Sequence, residues 1–174
     1  MKLINKEIVF KGFLTIVKLF LEADGEVFER LVLERKNAVA GIVYDKSKNK
    51  FIFTKQWRPG SEKDIYEVVA GVNDYDSDES ECLKREVLEE IGYSIDNIQH
   101  INTCYLSPGG STEKVSIYYC EGSKVSPGGG LREEGEKIEV IEFSFDEIMN
   151  TSFEDAKTII AVDYIKNKFN KTNV

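Results

Sequence analysis

The sequence predicts an α+β domain in which strands outnumber helices and the two do not alternate regularly. Three observations lead there. Residues 8–35 alternate apolar and polar side chains in stretches around "ADGE", an Asp-Gly hairpin signal, so a small antiparallel sheet opens the chain. Denser apolar runs follow in "AVAGIVYD" and "KFIFTKQW", as expected of strands. Helical periodicity occurs in two places, on Leu83, Val87 and Ile91 and again over about 145–169, without the βαβ repeat of a doubly wound fold.

Along the chain, "KSKNK" is a polar turn between the first two of these runs, and "IYEVVAGV" predicts one further strand ending at Gly71. The acidic stretch "NDYDSDES" then leads into the first helix. Ser77 is its expected cap, Asp78 and Glu79 suit the positive end of its dipole, and Gly92 is placed to stop it. Strands are expected in "HINTCYL", "KVSIYYCEG" and "KIEVIEFSF", followed by the second helical region. "SPGG" occurs at 107–110 and 126–129 with unlike flanks, which makes two loops and no repeat.

A chain of 174 residues with 41% apolar content suits one domain with a real core. Its 23 basic and 31 acidic residues give a formal charge of -8, which argues against broad nucleic-acid or membrane-surface binding. An anionic substrate must therefore be held by local cations. Cys82, Cys104 and Cys120 lack CxxC spacing, so neither a disulfide framework nor a zinc site is indicated, and a cytoplasmic location is expected. Charges interrupt every apolar run near the N-terminus, which fits neither a signal peptide nor a membrane span. His100 is the one histidine, leaving acid–base work to carboxylates.

The helix "LKREVLEEIGY" poses the chemical question. Glu86, Glu89 and Glu90 are three and four residues apart and share one side, with Arg85 beside them. Such a face is often simply solvated. A different explanation comes from context, because Gly71 is followed fourteen residues later by Arg85-Glu86 and then by Val87-Leu88-Glu89-Glu90-Ile91-Gly92-Tyr93. That spacing resembles the Nudix box, a long and therefore specific pattern. One position departs: the box's first glutamate falls six residues after Gly71, where this chain has Ser77, and Glu79 stands two positions on. A calcium loop fits less well. Asp74, Asp76 and Asp78 match its first ligands, but Glu79 replaces the required glycine and Arg85 the closing glutamate.

The resemblance implies a Nudix fold, an α/β/α sandwich around a mixed central sheet, with an N-terminal region at 1–36 and the hydrolase domain at 37–174. It also implies a divalent cation, Mg²⁺ with Mn²⁺ as the alternative, because such ions neutralise a diphosphate and activate water. Hard cations take oxygen ligands, and the resemblance assigns Glu86, Glu90 and the Ala70 carbonyl as ligands, with Glu89 a contributing catalytic group and Arg85 orienting the carboxylates.

From about Arg35 onward, "FTKQWRP", "EVVAG", "YLSPGGSTEKVSIYY" and "EDAKTIIAVDYI" are similar to the ADP-ribose and GDP-mannose pyrophosphatase branch. Members split nucleoside diphosphate sugars into a nucleoside monophosphate and a sugar phosphate. The branch places its base in a loop corresponding to "GGGLREEGEKIEV", which assigns Glu134 as base with Glu133 as the alternative, and Glu136 as a metal contact. "SPGGG" is expected to let that loop swing. Arg58 matches a substrate-binding arginine, though a surface role is an equal alternative. Trp57 either packs within the sheet, the first expectation, or stacks on a base. Glu67 either bonds the ribose or supports the metal loop, and Gly109 and Gly110 allow backbone approach to substrate. A broad ADP-ribose-type enzyme is the first expectation and a GDP-mannose-preferring one the second, with a non-catalytic nucleotide-sugar sensor as a rival. Branch members are homodimers that exchange N-terminal strands, so a homodimer is expected here.

Overall fold

Turn chemistry builds the first sheet. Strands β1 (Lys2–Lys11), β2 (Thr15–Ala23) and β3 (Glu26–Glu34) pair antiparallel in that order. Asp24 and Gly25 join β2 to β3 with φ of 53° and 80°, the two left-handed residues that a tight hairpin needs. The computed structural model describes residues 1–73, 78–130 and 137–170. Every residue of β1 is exposed, so neither of its faces is covered within the chain.

The second sheet contains β4 (Ala38–Asp45), β5 (Lys50–Arg58), β6 (Lys63–Glu67), β7 (Val69–Val72), β8 (Tyr93–Tyr105), β9 (Lys114–Lys124) and β10 (Glu139–Phe143). Its order is β10-β5-β4-β9-β8, with β6 on β5 and β7 on β4. The β4–β9 pair is parallel and the other pairs are antiparallel, so the sheet is mixed. Helix α1 (Glu79–Ile91) covers one face, while α2 (Phe145–Asn150) and α3 (Ala156–Asn170) cover the other. The expected α/β/α sandwich is therefore present.

Both faces follow from the apolar spacing. Leu83, Val87 and Ile91 are fully buried against Val39, Val43 and Ile52, each contributing about 1.5–3 kcal/mol by leaving water. Gly41 permits this approach, since a Cβ there would lie 2.9 Å from Leu83 Cδ1. On the opposite face Phe51, Phe53 and Ile117 meet Ile148, Val162 and Ile165.

Three expectations need correction. "IYEVVAGV" is two strands, because the chain changes partner at Val68, whose N–H donates to Thr158 Oγ1 at 2.9 Å. The region 145–169 is two helices. A Ser144–Glu147 capping box starts the first, Thr151 leaves it in an extended conformation, and Asp155 accepts from Thr158 N at 3.0 Å in the first turn of the second. The cap of α1 is Asp78, whose carboxylate accepts from Ser80 N at 2.8 Å; Ser77 lies outside the described residues.

The two sheets are joined by more than the chain between β3 and β4. Leu33 N donates to Gly110 O at 2.8 Å, Thr112 N to Leu33 O at 3.1 Å, and Arg35 N to Thr112 Oγ1 at 2.8 Å. Arg35 then pairs with Glu113 at 3.1 Å. Among the described residues no helix is long and apolar enough to cross a membrane.

Candidate active site

The glycine at 71 has a steric reason. A Cβ there would fall 2.0 Å from Glu86 Cδ and 2.3 and 2.4 Å from its oxygens, so only glycine lets the carboxylate lie against the backbone of β7. The acidic side of α1 is also not a freely solvated face: the Glu86 side chain is 13% exposed, that of Glu89 29%, and Glu90 is 7% exposed overall. Arg85 spans two of them, with Nη2 2.6 Å from Glu86 Oε1 and Nη1 3.2 Å from Glu89 Oε2. Burial pushes the guanidinium pKa down, but the charges of Glu86 and Glu89 outweigh it and raise it. The expected orienting role of Arg85 matches this geometry. Glu90 is directed elsewhere, close enough to Arg58 for its charge to favour the guanidinium's charged form.

Three carboxylates on one turn repel one another. Like charges three or four residues apart cost about 0.2–0.5 kcal/mol per pair, and acids near a helix C-terminus oppose its dipole by about 0.3–1 kcal/mol. The last turn of α1 carries no basic residue. Its carbonyls are instead held by the segment after β9: Val125 N and Ser126 N donate to Gly92 O at 2.8 and 3.0 Å, Gly129 N to Glu90 O at 2.7 Å, and Gly130 N to Glu89 O at 3.1 Å. "SPGGG" is thus bonded to the end of the helix in this structure.

Beside Gly71 lies a cleft of about 560 Å³, bordered by β5, β6, β7 and the start of α3. Arg58 and Glu67 form a two-pronged pair in its wall, Nε to Oε1 at 2.6 Å and Nη2 to Oε2 at 2.9 Å. Lys157 Nζ also bonds Glu67 Oε2 at 2.7 Å and Asp155 at 3.0 Å. Burial pushes the Glu67 carboxyl up, yet the Arg58 hydrogen bonds and the Lys157 charge prevail and hold it below the usual carboxylate range. Across the cleft stands the Arg35–Glu113 pair.

Of the expected site residues, Ala70, Arg58 and Glu67 line this cleft. Trp57 is 56% exposed and outside its lining, so the expectation of sheet packing is wrong. Gly109 and Gly110 lie in the loop docked on β3, also outside the lining, with nothing among the described residues within 4 Å of an added Cβ. Glu133, Glu134 and Glu136 lie outside the described residues. Glu79 does not join the acidic group near Gly71; its carboxylate accepts from Ser116 Oγ at 3.0 Å and from Tyr118 Oη, tying the start of α1 to β9. Lys157, Asp155, Arg35 and Glu113 were not singled out from the sequence. A lysine just ahead of the apolar run 159–162 was the available signal for Lys157.

A hard divalent cation fits the donor chemistry. Carboxylates and a carbonyl are its preferred ligands, and the Gly71 seat brings Glu86 to the Ala70–Gly71 backbone. Among the described residues no three His, Cys, Asp or Glu side chains form a ready-made cage.

Comparison with known proteins agrees with this architecture. The NUDIX domain family model matches residues 34–162. The GDP-mannose pyrophosphatases of Shigella flexneri and of Escherichia coli O1:K1 / APEC are each 31% identical to this chain, over 82% of it and 81% of their own length. The crystal structure of an ADP compounds hydrolase shares the fold with a TM-score of 0.79 at 16% identity, over 98% of this chain and 95% of that one. With the box residues, the Gly71 seat and the sandwich in agreement, this chain belongs to the Nudix family, on the branch of the ADP-ribose and GDP-mannose pyrophosphatases.

Proposed function

We propose that this protein hydrolyses the diphosphate bond of a nucleoside diphosphate sugar, releasing a nucleoside monophosphate and a sugar phosphate. One observation carries this: a single cleft combines cations suited to a diphosphate, Arg58 and Lys157, with the Gly71 wall against which the Glu86 carboxylate rests. Glu86, Glu90 and the Ala70 carbonyl would hold Mg²⁺, or Mn²⁺ in its place, with Glu136 added from the neighbouring loop. When bound, such a cation polarises the phosphoryl group and lowers the pKa of water.

The chain's own groups then have distinct tasks. Arg58 presents its guanidinium to phosphate oxygens, and Glu67 sets its plane by the two-pronged bond. Lys157 adds a second positive charge. Glu89 sits with Arg85 beside the ligands. Glu134, or Glu133, accepts the proton of the attacking water, a contribution typically worth ~10²–10⁴ in rate. Support for this comes from the bond of Gly130 N to Glu89 O, since Glu134 is four residues further on and the chain reaches only about 3.5 Å per residue. Trp57 keeps an exposed ring for a base, and the open space around Gly109 and Gly110 leaves room for ligand backbone contacts.

The names of the relatives favour GDP-mannose as substrate, with ADP-ribose the second choice. Incubation with Mg²⁺ and a panel of GDP-mannose, ADP-ribose, ADP-glucose and diadenosine polyphosphates tests this by monophosphate release. Binding without turnover would replace the hydrolase with a sensor. A homodimer through the N-terminal sheet is also proposed, supported by Leu3, Ile8, Phe10, Phe13 and Leu31, all exposed on strands or their connecting turn. A monomer in sedimentation at micromolar concentration would rule it out. The free thiols of Cys82, Cys104 and Cys120 support a reducing, cytoplasmic setting.

A further inference from the structure

Glu89 and Glu90 each carry two attachments. Their carboxylates belong to the acidic side of α1, and their main-chain carbonyls accept the N–H groups of Gly130 and Gly129. Gly92, which ends the helix, donates to Leu88 O and Val87 O and itself accepts from Val125 N and Ser126 N. The self-repelling turn is therefore bound along its end by one strap of main chain, residues 125–130. Contact is close enough to dictate residue type. A Cβ on Gly92 would lie 2.1 Å from Ser126 O, and one on Gly128 2.5 Å from the Ile91 carbonyl carbon. Gly128, Gly129 and Gly130 have φ of 71°, 112° and 77°, a path that residues with a Cβ rarely follow.

We propose that Gly128, Gly129 and Gly130 are positioning residues, acting through the α1 main chain to fix the directions in which the Glu89 and Glu90 carboxylates leave the helix. A carbonyl held on each residue removes the fraying that like charges and the helix dipole promote at this turn. The strap holds α1 through main-chain bonds, and because it also leads into the loop of Glu134, exchange at residues 88–92 is the readout particular to its hold on the helix. The kinetic part of this inference rests on the hydrolase function proposed above; the structural part does not.

Inserting one glycine between Gly128 and Gly129 keeps the φ freedom but shifts the two donors out of register with Glu90 O and Glu89 O. Amide hydrogen exchange of the metal-free protein is expected to speed up by about tenfold or more at residues 88–92 and to stay unchanged in α3. With substrate, kcat should fall by about ten- to a hundredfold while KM stays within about twofold, because misplaced groups cost turnover more than binding. Ile165→Val, in the core of the opposite face, serves as a control for general destabilisation and should keep kcat. Unchanged exchange at 88–92, or a kcat loss that Ile165→Val reproduces, overturns the proposal. Should the insertion prevent folding, Gly129→Ala decides by the same readouts, since it retains the donor and adds only strain at φ 112°. A wild-type protein that hydrolyses nothing sinks the proposed function, and the strap is then judged by exchange alone.

Discussion

Glu67 is surrounded by cations, whereas Glu86 and Glu89 share one, Arg85, on their own helix. Glu67 lines the cleft and Glu86 rests against Gly71 in its wall, yet their charges are matched in different ways. Around Glu67, Arg58 and Lys157 use both carboxylate oxygens, and the residue is buried with its pKa held down. On α1 two acids share one arginine, and the end of the helix is bound by backbone donors. The difference separates a carboxylate that serves the fold and the orientation of an arginine from those that, under the proposed function, would hold a cation.

The sharpest test applies the same acid-to-amide change to both groups. Glu90→Gln should lower kcat by ~10²–10⁴, at least as much as Glu134→Gln, with the fold intact by circular dichroism. Activity retained by Glu90→Gln would break the contrast. Glu67→Gln should do the reverse at the level of stability, losing about 3 kcal/mol in urea unfolding at neutral pH by leaving Lys157 and Arg58 poorly matched. Its pH dependence has a definite sign. The native Glu67 pKa lies below its unfolded value, so its stabilisation is present above about pH 4.3 and is lost as pH falls through the lower native value. Wild type and variant should therefore converge in stability in acid.

Gly71→Ala sharpens the contrast further by moving one acid without removing its charge. The added methyl displaces the Glu86 carboxylate, and about a tenfold to hundredfold loss of kcat is expected with the fold intact by circular dichroism. The smallest effect belongs to Glu79→Gln, which keeps one acceptor for Tyr118 or Ser116; about 1 kcal/mol of stability and little kcat should be lost. A large kcat loss there would move Glu79 from the structural to the chemical group.

What the sequence discloses depends on how local the cause is. The stripe of Leu83, Val87 and Ile91, the Asp-Gly hairpin and the spacing from Gly71 to Glu90 are all written in near-neighbour patterns, and each has its predicted place. The Glu67–Lys157 bond joins residues 90 apart and exists because the chain changes partner at Val68, where a hydroxyl from α3 takes a ladder bond. No periodicity marks such a switch, so "IYEVVAGV" looks continuous. The strap is hidden for a different reason. It is made of main-chain donors, and three glycines signal freedom of φ without saying whether that freedom is used for motion or for close contact. Trp57 shows the limit of residue type alone: a large aromatic in a strand suggests burial, but burial along β5 falls off after Thr54.

The stitching of Leu33 to Gly110 and Thr112, continued by Arg35 to Glu113, has a mechanical consequence. Load applied to β3 reaches the rim of the cleft through four short links without passing through the apolar core. The first sheet is thus less an appendage than a lever, and whatever grips it is coupled to the mouth of the cleft.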